Sequence, residues 1–173
     1  MTESVGVPSV ADGVDRQLDP RYIPLQQKVG WIGATVLAGA SFVAALIVWA
    51  ANGFSLVVLA AAAMVWTALS GAAAWHAQSW PAIAYRHSFY RVDARGIEIR
   101  RGVYWRTIVN IPRSRVQHTD VSQGPLERTH DLGTLVIYTA GTDHARVDLP
   151  GLAHVTALRI REHLLPHEDS DAV

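Results

Sequence analysis

From Val29 to Tyr85 the chain runs for 57 residues without a single Asp, Glu, Lys or Arg. One helix crosses a roughly 30 Å hydrocarbon core with about 20 residues at 1.5 Å of rise each, so this length fits two spans and not one. Asn52-Gly53 is the turn-forming pair in the middle. The reading is therefore a hairpin of spans over Val29 to Ala51 and Phe54 to about Trp75, with an exit segment reaching Tyr85. Trp31 and Trp49 are 18 residues apart, about 27 Å along a helix, and suit the two headgroup levels. Trp75 and Trp80 suit the exit of span two, where Pro81 is expected to end the helix and His76, Gln78 and Ser79 announce the polar zone. The spans are rich in small residues, among them Ala34, Ala38, Ala40, Ala44 and the run Ala60 to Ala63. Such residues let helix backbones approach closely, so the hairpin should pack on itself or on a neighbour. A buried hairpin in a soluble protein is the weaker alternative, because the remaining chain has little apolar surface to cover both helices on every side.

With 173 residues, the chain leaves room for one modest soluble domain besides the spans. The absence of cysteine removes disulfides, thiol nucleophiles and Cys-ligated metals from consideration. Net charge is zero but unevenly placed: residues 86–119 carry eight Arg against two acids, and residues from 120 onward carry four Arg against nine acids. Juxtamembrane Arg after span two, opposite an almost chargeless turn, predicts both termini in the cytoplasm. The first span is too long for a signal h-region and has about 28 residues ahead of it, which argues against a cleaved leader. Residues 1–28 mix Gly, Pro, Ser and acids without apolar periodicity and are expected to be a mostly disordered cytoplasmic tail.

After the hairpin, short alternating runs separated by turn residues predict antiparallel strands. They are Phe89 to Val92, Ile97 to Arg100, Tyr104 to Ile111, Val116 to Val121, Gly133 to Thr139 and Ala145 to Leu149. Leu126 to Arg128 reads as one helical turn, and Gly141-Thr142-Asp143 as a tight turn. Pro150-Gly151 is expected to open an amphipathic helix to about Leu165, with Leu152, Val155 and Leu158 on one side and Ala157, Ile160 and Leu164 widening the stripe. About six strands and one helix predict a small curled sheet or partial barrel, capped by the helix, over residues 86–165. An acidic tail, 166–173, follows.

One run carries more than its periodicity. Ile111-Pro112, then Arg115-Val116-Gln117, then Gln123-Gly124-Pro125-Leu126 with Arg128, then Leu132-Gly133 and a β run ending Thr139-Ala140-Gly141 resembles the bacterial pleckstrin-homology-like domain of membrane-flanked, YdbS-type proteins. The resemblance extends over roughly Phe89 to Leu165, and the preceding double span is similar to that family's layout. Thr129-His130-Asp131 departs from the usual bulkier, uncharged approach to Leu-Gly. The resemblance implies a pleckstrin-homology-like (PH-like) fold, no catalytic activity and no inherited phosphoinositide site. On an alternating strand Arg115, Gln117 and Gln123 share one face, opposite Val116. They either satisfy internal turns and strand ends, with Arg128, or face a ligand.

The remaining polar residues offer few reactive groupings. His163 and His167 stand at helical spacing, but Pro166 breaks the helix between them, and His118, His130 and His144 lack a carboxylate at ligand spacing. No metal or cofactor is expected. Ser88, Ser114 and Ser122 lie in no nucleophile elbow, and phosphate-binding and dinucleotide glycine motifs are absent, so no catalytic residue is assigned. His76 is the one intramembrane candidate for a relay, close enough to the interface to be hydrated easily. Arg86, Arg91, Arg95, Arg100, Arg101, Arg106, Arg113 and Arg115 form the cluster that could hold a partner or anionic lipid, each contributing about 1 kcal/mol near a charged leaflet. Nucleic acid would meet the same charge, with Tyr90, Tyr104 and Trp105 for stacking, but membrane tethering and a neutral total disfavour it. The expectation is a non-catalytic module of the bacterial inner membrane that assembles with itself or a related membrane-flanked protein. Anionic-lipid binding and a subunit role in a transport complex are the alternatives. No small-molecule substrate is indicated.

Overall fold

The computed structural model describes residues 10–140 and 146–165. They form two units. The helical one is Ile23–Ile83, and the β-rich one combines the chain up to Tyr22 with that from Ala84 onward.

Helix α1 spans Tyr22–Ala51 and α2 spans Leu56–Arg86, both long and apolar enough to cross a membrane. The turn falls at Asn52-Gly53 as the sequence suggested. Gly53 and Phe54 both take positive φ, and Asn52 Nδ2 donates to Val48 O at 2.7 Å. Close approach is carried by small residues: a Cβ on Gly30 would lie 3.0 Å from Ala77. Trp66 Nε1 donates to Ala38 O at 2.9 Å while its ring meets Phe42 edge-on. Contrary to expectation, Pro81 lies inside α2, which continues five residues past it. Proline's fixed φ is itself helical, so it removes one hydrogen bond without forcing the following residues out of the helix.

The β-rich unit contains two antiparallel sheets. The first has the order β1-β2-β3-β4, from Asp15–Gln17, Phe89–Asp93, Gly96–Arg101 and Thr107–Pro112. The second is β5-β6-β7, from Val116–Ser122, Leu132–Thr139 and Arg146–Ala153. A short helix α3, Pro125–Thr129, joins β5 to β6, and α4, His154–Leu164, packs on the second sheet. Alternation puts Tyr90, Val92, Ile97, Ile99, Val109 and Ile111 from the first sheet into one core with Leu135, Ile137, Val147 and Leu149 from the second. Ala157, Ile160 and Leu164 of α4, all fully buried, complete it. This is the α+β arrangement anticipated, a hairpin of apolar helices followed by sheets and a terminal helix.

Three boundaries differ. The described part of the stretch up to Lys28, expected to be mostly disordered, contributes β1, paired in register with β2, and about two turns of α1. The third expected strand begins at Thr107, not Tyr104. Pro150-Gly151 lies within β7, and α4 starts only at His154, so Val155 is exposed and Leu152 is a strand residue. Gly151 explains the longer strand. Its φ is +77°, its carbonyl accepts from Asp19 N at 2.8 Å, and an added Cβ would lie 2.6 to 2.9 Å from the Tyr22 ring. The turn at residues 141–143 and the acidic tail lie outside the described residues.

Gly151→Ala should therefore destabilise the protein by about 1–3 kcal/mol, since it adds positive-φ strain to a ring clash. The check is a lower urea midpoint in mild detergent, accompanied by faster proteolysis before Tyr22.

Candidate functional site

The outer face of the first sheet follows from the alternation that buries its core. With Tyr90, Val92, Ile97 and Ile99 inward, Phe89, Arg91, Glu98 and Arg100 must point outward. Register sets Asp15 opposite Arg91, and Arg91 opposite Glu98. Asp15 Oδ1 accepts from Arg91 Nε at 2.7 Å and its Oδ2 from Arg100 Nη1 at 3.2 Å, while Arg100 Nε also donates to Glu98. The Arg91 hydrogen bond, ahead of the nearby Arg100 charge, holds the Asp15 carboxyl below its usual range and raises the Arg91 guanidinium in turn.

The eight arginines thus divide. Arg91 and Arg100 belong to this carboxylate network. Arg101 Nη1 donates to Asp148 O at 3.2 Å, linking the two sheets, and Arg113 Nη2 donates to Leu165 O at 2.8 Å at the end of α4. Arg86, Arg95, Arg106 and Arg115 are exposed, and they are dispersed. Arg86 ends α2, Arg95 sits in the β2–β3 turn, and Arg115 closes the 3-10 turn Arg113–Arg115. Arg106 lies in the β3–β4 connection. There, Arg100, Arg101 and Arg106 share a cleft of about 400 Å3 with His87, Phe89, Glu98 and Ile108.

The family-motif residues are placed otherwise. Ile111, Val116 and Leu132 are buried in the cores. Pro112 leads into the 3-10 turn, and Gln117 is exposed at a register shift between Val116 and His118. Gln123 Nε2 donates to Leu132 O at 2.6 Å, so this side chain satisfies a turn internally. Pro125 opens α3; Leu126 and Arg128 lie on its exposed side. Gly133 is buried, and a Cβ there would make ordinary contacts, 3.4 Å from Ser122 O and from Val121 Cγ1. Glu127, which the sequence reading passed over, organises this loop. Its Oε2 accepts from Gly124 N and its Oε1 from Thr134 Oγ1, both at 2.7 Å. Pro at the first helical position with Glu two residues later was the available signal.

The histidines are dispersed. His118 stacks on Tyr138 at 4.1 Å between centroids, His163 Nε2 meets Asp93 O at 2.9 Å, and His76 stacks on Trp80. Among the described residues no group of three or more metal-ligating side chains is gathered, and His144 and His167 lie outside them. Tyr104 and Trp105, placed in a strand by the sequence reading, instead form the turn between β3 and β4, 82% and 89% exposed. The pattern could not separate a strand from a presented tip, because aromatic residues favour both.

Two antiparallel sheets packed with a C-terminal helix, preceded by a pair of helices long and apolar enough to cross a membrane, fit a PH-like domain after a candidate transmembrane hairpin. The family model for "Bacterial PH domain" matches residues 25–167, and the chain belongs to that family. It is 37% identical over 84 residues to the UPF0699 transmembrane protein YdbS of Bacillus subtilis (strain 168). That match spans 49% of this chain and 51% of the relative, about half the length of each. No solved structure matches the chain.

Two outcomes follow from these contacts. Because the Asp15 pKa is lowered in the fold, its carboxylate adds stability above the unfolded value of about 3.9, and that contribution is lost as pH falls through the folded value. The thermal midpoint of Asp15→Asn should lie below wild type at pH 7, with the gap closing on acidification below pH ~4. Glu127→Ala leaves the Gly124 N–H and Thr134 hydroxyl without their acceptor and should cost about 1–3 kcal/mol, measured as a lower denaturant midpoint.

Proposed function

We propose that this is a multi-pass protein of the bacterial inner membrane, both termini cytoplasmic, in which a non-catalytic PH-like module is displayed by a helix pair that assembles with a second copy. Topology rests on the Arg-rich segment that follows α2. One observation carries the assembly reading. The helix pair has an apolar cleft of about 490 Å3, lined by Ala44, Ala45, Ala61 and Ala62 together with larger residues such as Val48 and Val65. In lipid, helices associate through close packing on small residues, because apolar surface alone gives no preference for protein over acyl chains. A cleft of that lining and size suits a helix from another copy.

The chain's lack of cysteine makes the test clean. Ala61→Cys introduces a lone thiol, and oxidation in native membranes should yield a covalent dimer. Ala61→Phe, which fills the cleft, should abolish the dimer formed by a Cys reporter at Val65. Recovery of monomer alone, with no partner captured, would refute assembly through this face. Capture of a different membrane-flanked protein would replace the second copy as occupant.

A further inference from the structure

We propose that the β3–β4 tip is an interfacial membrane anchor, with Tyr104 and Trp105 entering the headgroup region and the adjoining cleft of Arg100, Arg101 and Arg106 receiving anionic phospholipid headgroups. This goes beyond the assembly reading and rests only on the membrane placement of the helices.

Four observations converge on that occupant. First, the tip is built for presentation. Gly102 takes φ +118°, a conformation that L side chains rarely adopt, and an added Cβ would run into the Trp105 carbonyl. Trp105, Tyr104 and Ile108 are 89%, 82% and 65% exposed. Second, the aromatic pair is amphipathic. Trp and Tyr rings with one polar atom favour the zone between water and acyl chains over either bulk phase. Third, charge complements such a surface. Arg100 is shared between Glu98 and Asp15, but Arg101 meets only a carbonyl and Arg106 has no ion pair among the described residues, leaving excess positive charge beside the aromatics. Guanidinium groups hold phosphate well.

The fourth observation is topological. Register pairs Gln17 with Phe89, Phe89 with Arg100 and Arg101 with Thr107. The end of β1, from which the chain runs into α1, and the start of β2, where it arrives from α2, therefore lie at the same end of the sheet as the tip. The two covalent links to the apolar helices and the aromatic hairpin emerge together.

A test uses the full-length protein in vesicles, with an environment-sensitive fluorophore on a lone Cys replacing Trp105, Met64 in α2, or exposed Val155 on α4. In phosphatidylcholine containing phosphatidylglycerol, brominated lipid should quench the probes at 105 and 64 but not at 155, with a blue-shifted emission at 105. Replacing phosphatidylglycerol by phosphatidylcholine, or making Arg106→Gln, should lower the docked fraction at 105, the single substitution by roughly fivefold in docked-to-free ratio. Quenching at 64 with iodide-accessible, unquenched label at 105 would overturn the anchor while leaving the membrane spans intact. Absence of quenching at 64 would overturn both. A label at 105 that is shielded from iodide yet insensitive to brominated lipid would mean a protein partner occupies the tip, and would also overturn the proposal.

Discussion

In a hydrocarbon solvent no water is available to satisfy polar groups, and the two long helices are long and apolar enough for such a setting. Their backbones bond internally and four of their hydroxyls turn back on their own helix, while Ser70 Oγ and Trp49 Nε1 are buried without a partner among the described residues. Thr35 donates to Trp31 O, Ser41 to Leu37 O, Thr67 to Ala63 O and Ser79 to Trp75 O. Leu56, Val57 and Met64 meanwhile stand more than 70% exposed. In water that outward apolar surface would be a strong drive to aggregate, whereas in lipid it is solvated. The rest of the chain is then free to build a water-soluble core of its own.

That core is modest, and its first sheet is closed at one edge by a very short strand. Asp15–Gln17 pairs with β2, while Leu18 is buried among Tyr90 and Ile99 in the same hydrophobic cluster. Tyr85 Oη donates to Leu18 O at 3.1 Å. Residues far apart in sequence thus meet at the place where chain enters and leaves the helices. A three-residue edge strand flanked by ion pairs also gives little template for unwanted strand addition.

The parts of this architecture that were legible in the sequence are those set by solvent preference over many residues. A chargeless run of this length, and alternation such as Ile97-Glu98-Ile99-Arg100, leave few options. Boundaries were less legible, because they depend on single contacts made across the fold. Pro150-Gly151 looks like a helix start until Tyr22 is seen lying against Gly151, which keeps β7 going. Asp15-Arg16-Gln17 is too short and polar to announce a strand, and its pairing rests on partners across the fold, Arg91 and Arg100 for Asp15 and the hydrophobic cluster for Leu18. Glu127 is local enough to have been read from its spacing. Tyr104-Trp105 was misplaced because strand propensity says nothing about which side of a Gly102 turn a residue occupies.

Counting arginines had the same weakness. Eight basic residues in a short segment suggest a uniformly positive surface, yet half of them hydrogen-bond to carboxylates and carbonyls of the fold. An exposed guanidinium already matched by a carboxylate adds little to a long-range field, and salt screens what remains within about 8–10 Å. What can act on a membrane or a partner is the charge with no carboxylate beside it, including Arg101, whose bond to a neutral carbonyl leaves its charge unmatched, and its position counts for more than its total. Arg95 and Arg115 are set apart from the β3–β4 tip, whereas Arg106 stands next to Trp105. Where unmatched charge coincides with exposed amphipathic rings, electrostatic attraction and interfacial partitioning act on the same few residues. That coincidence, more than the charge of the segment, gives this face of the domain a direction.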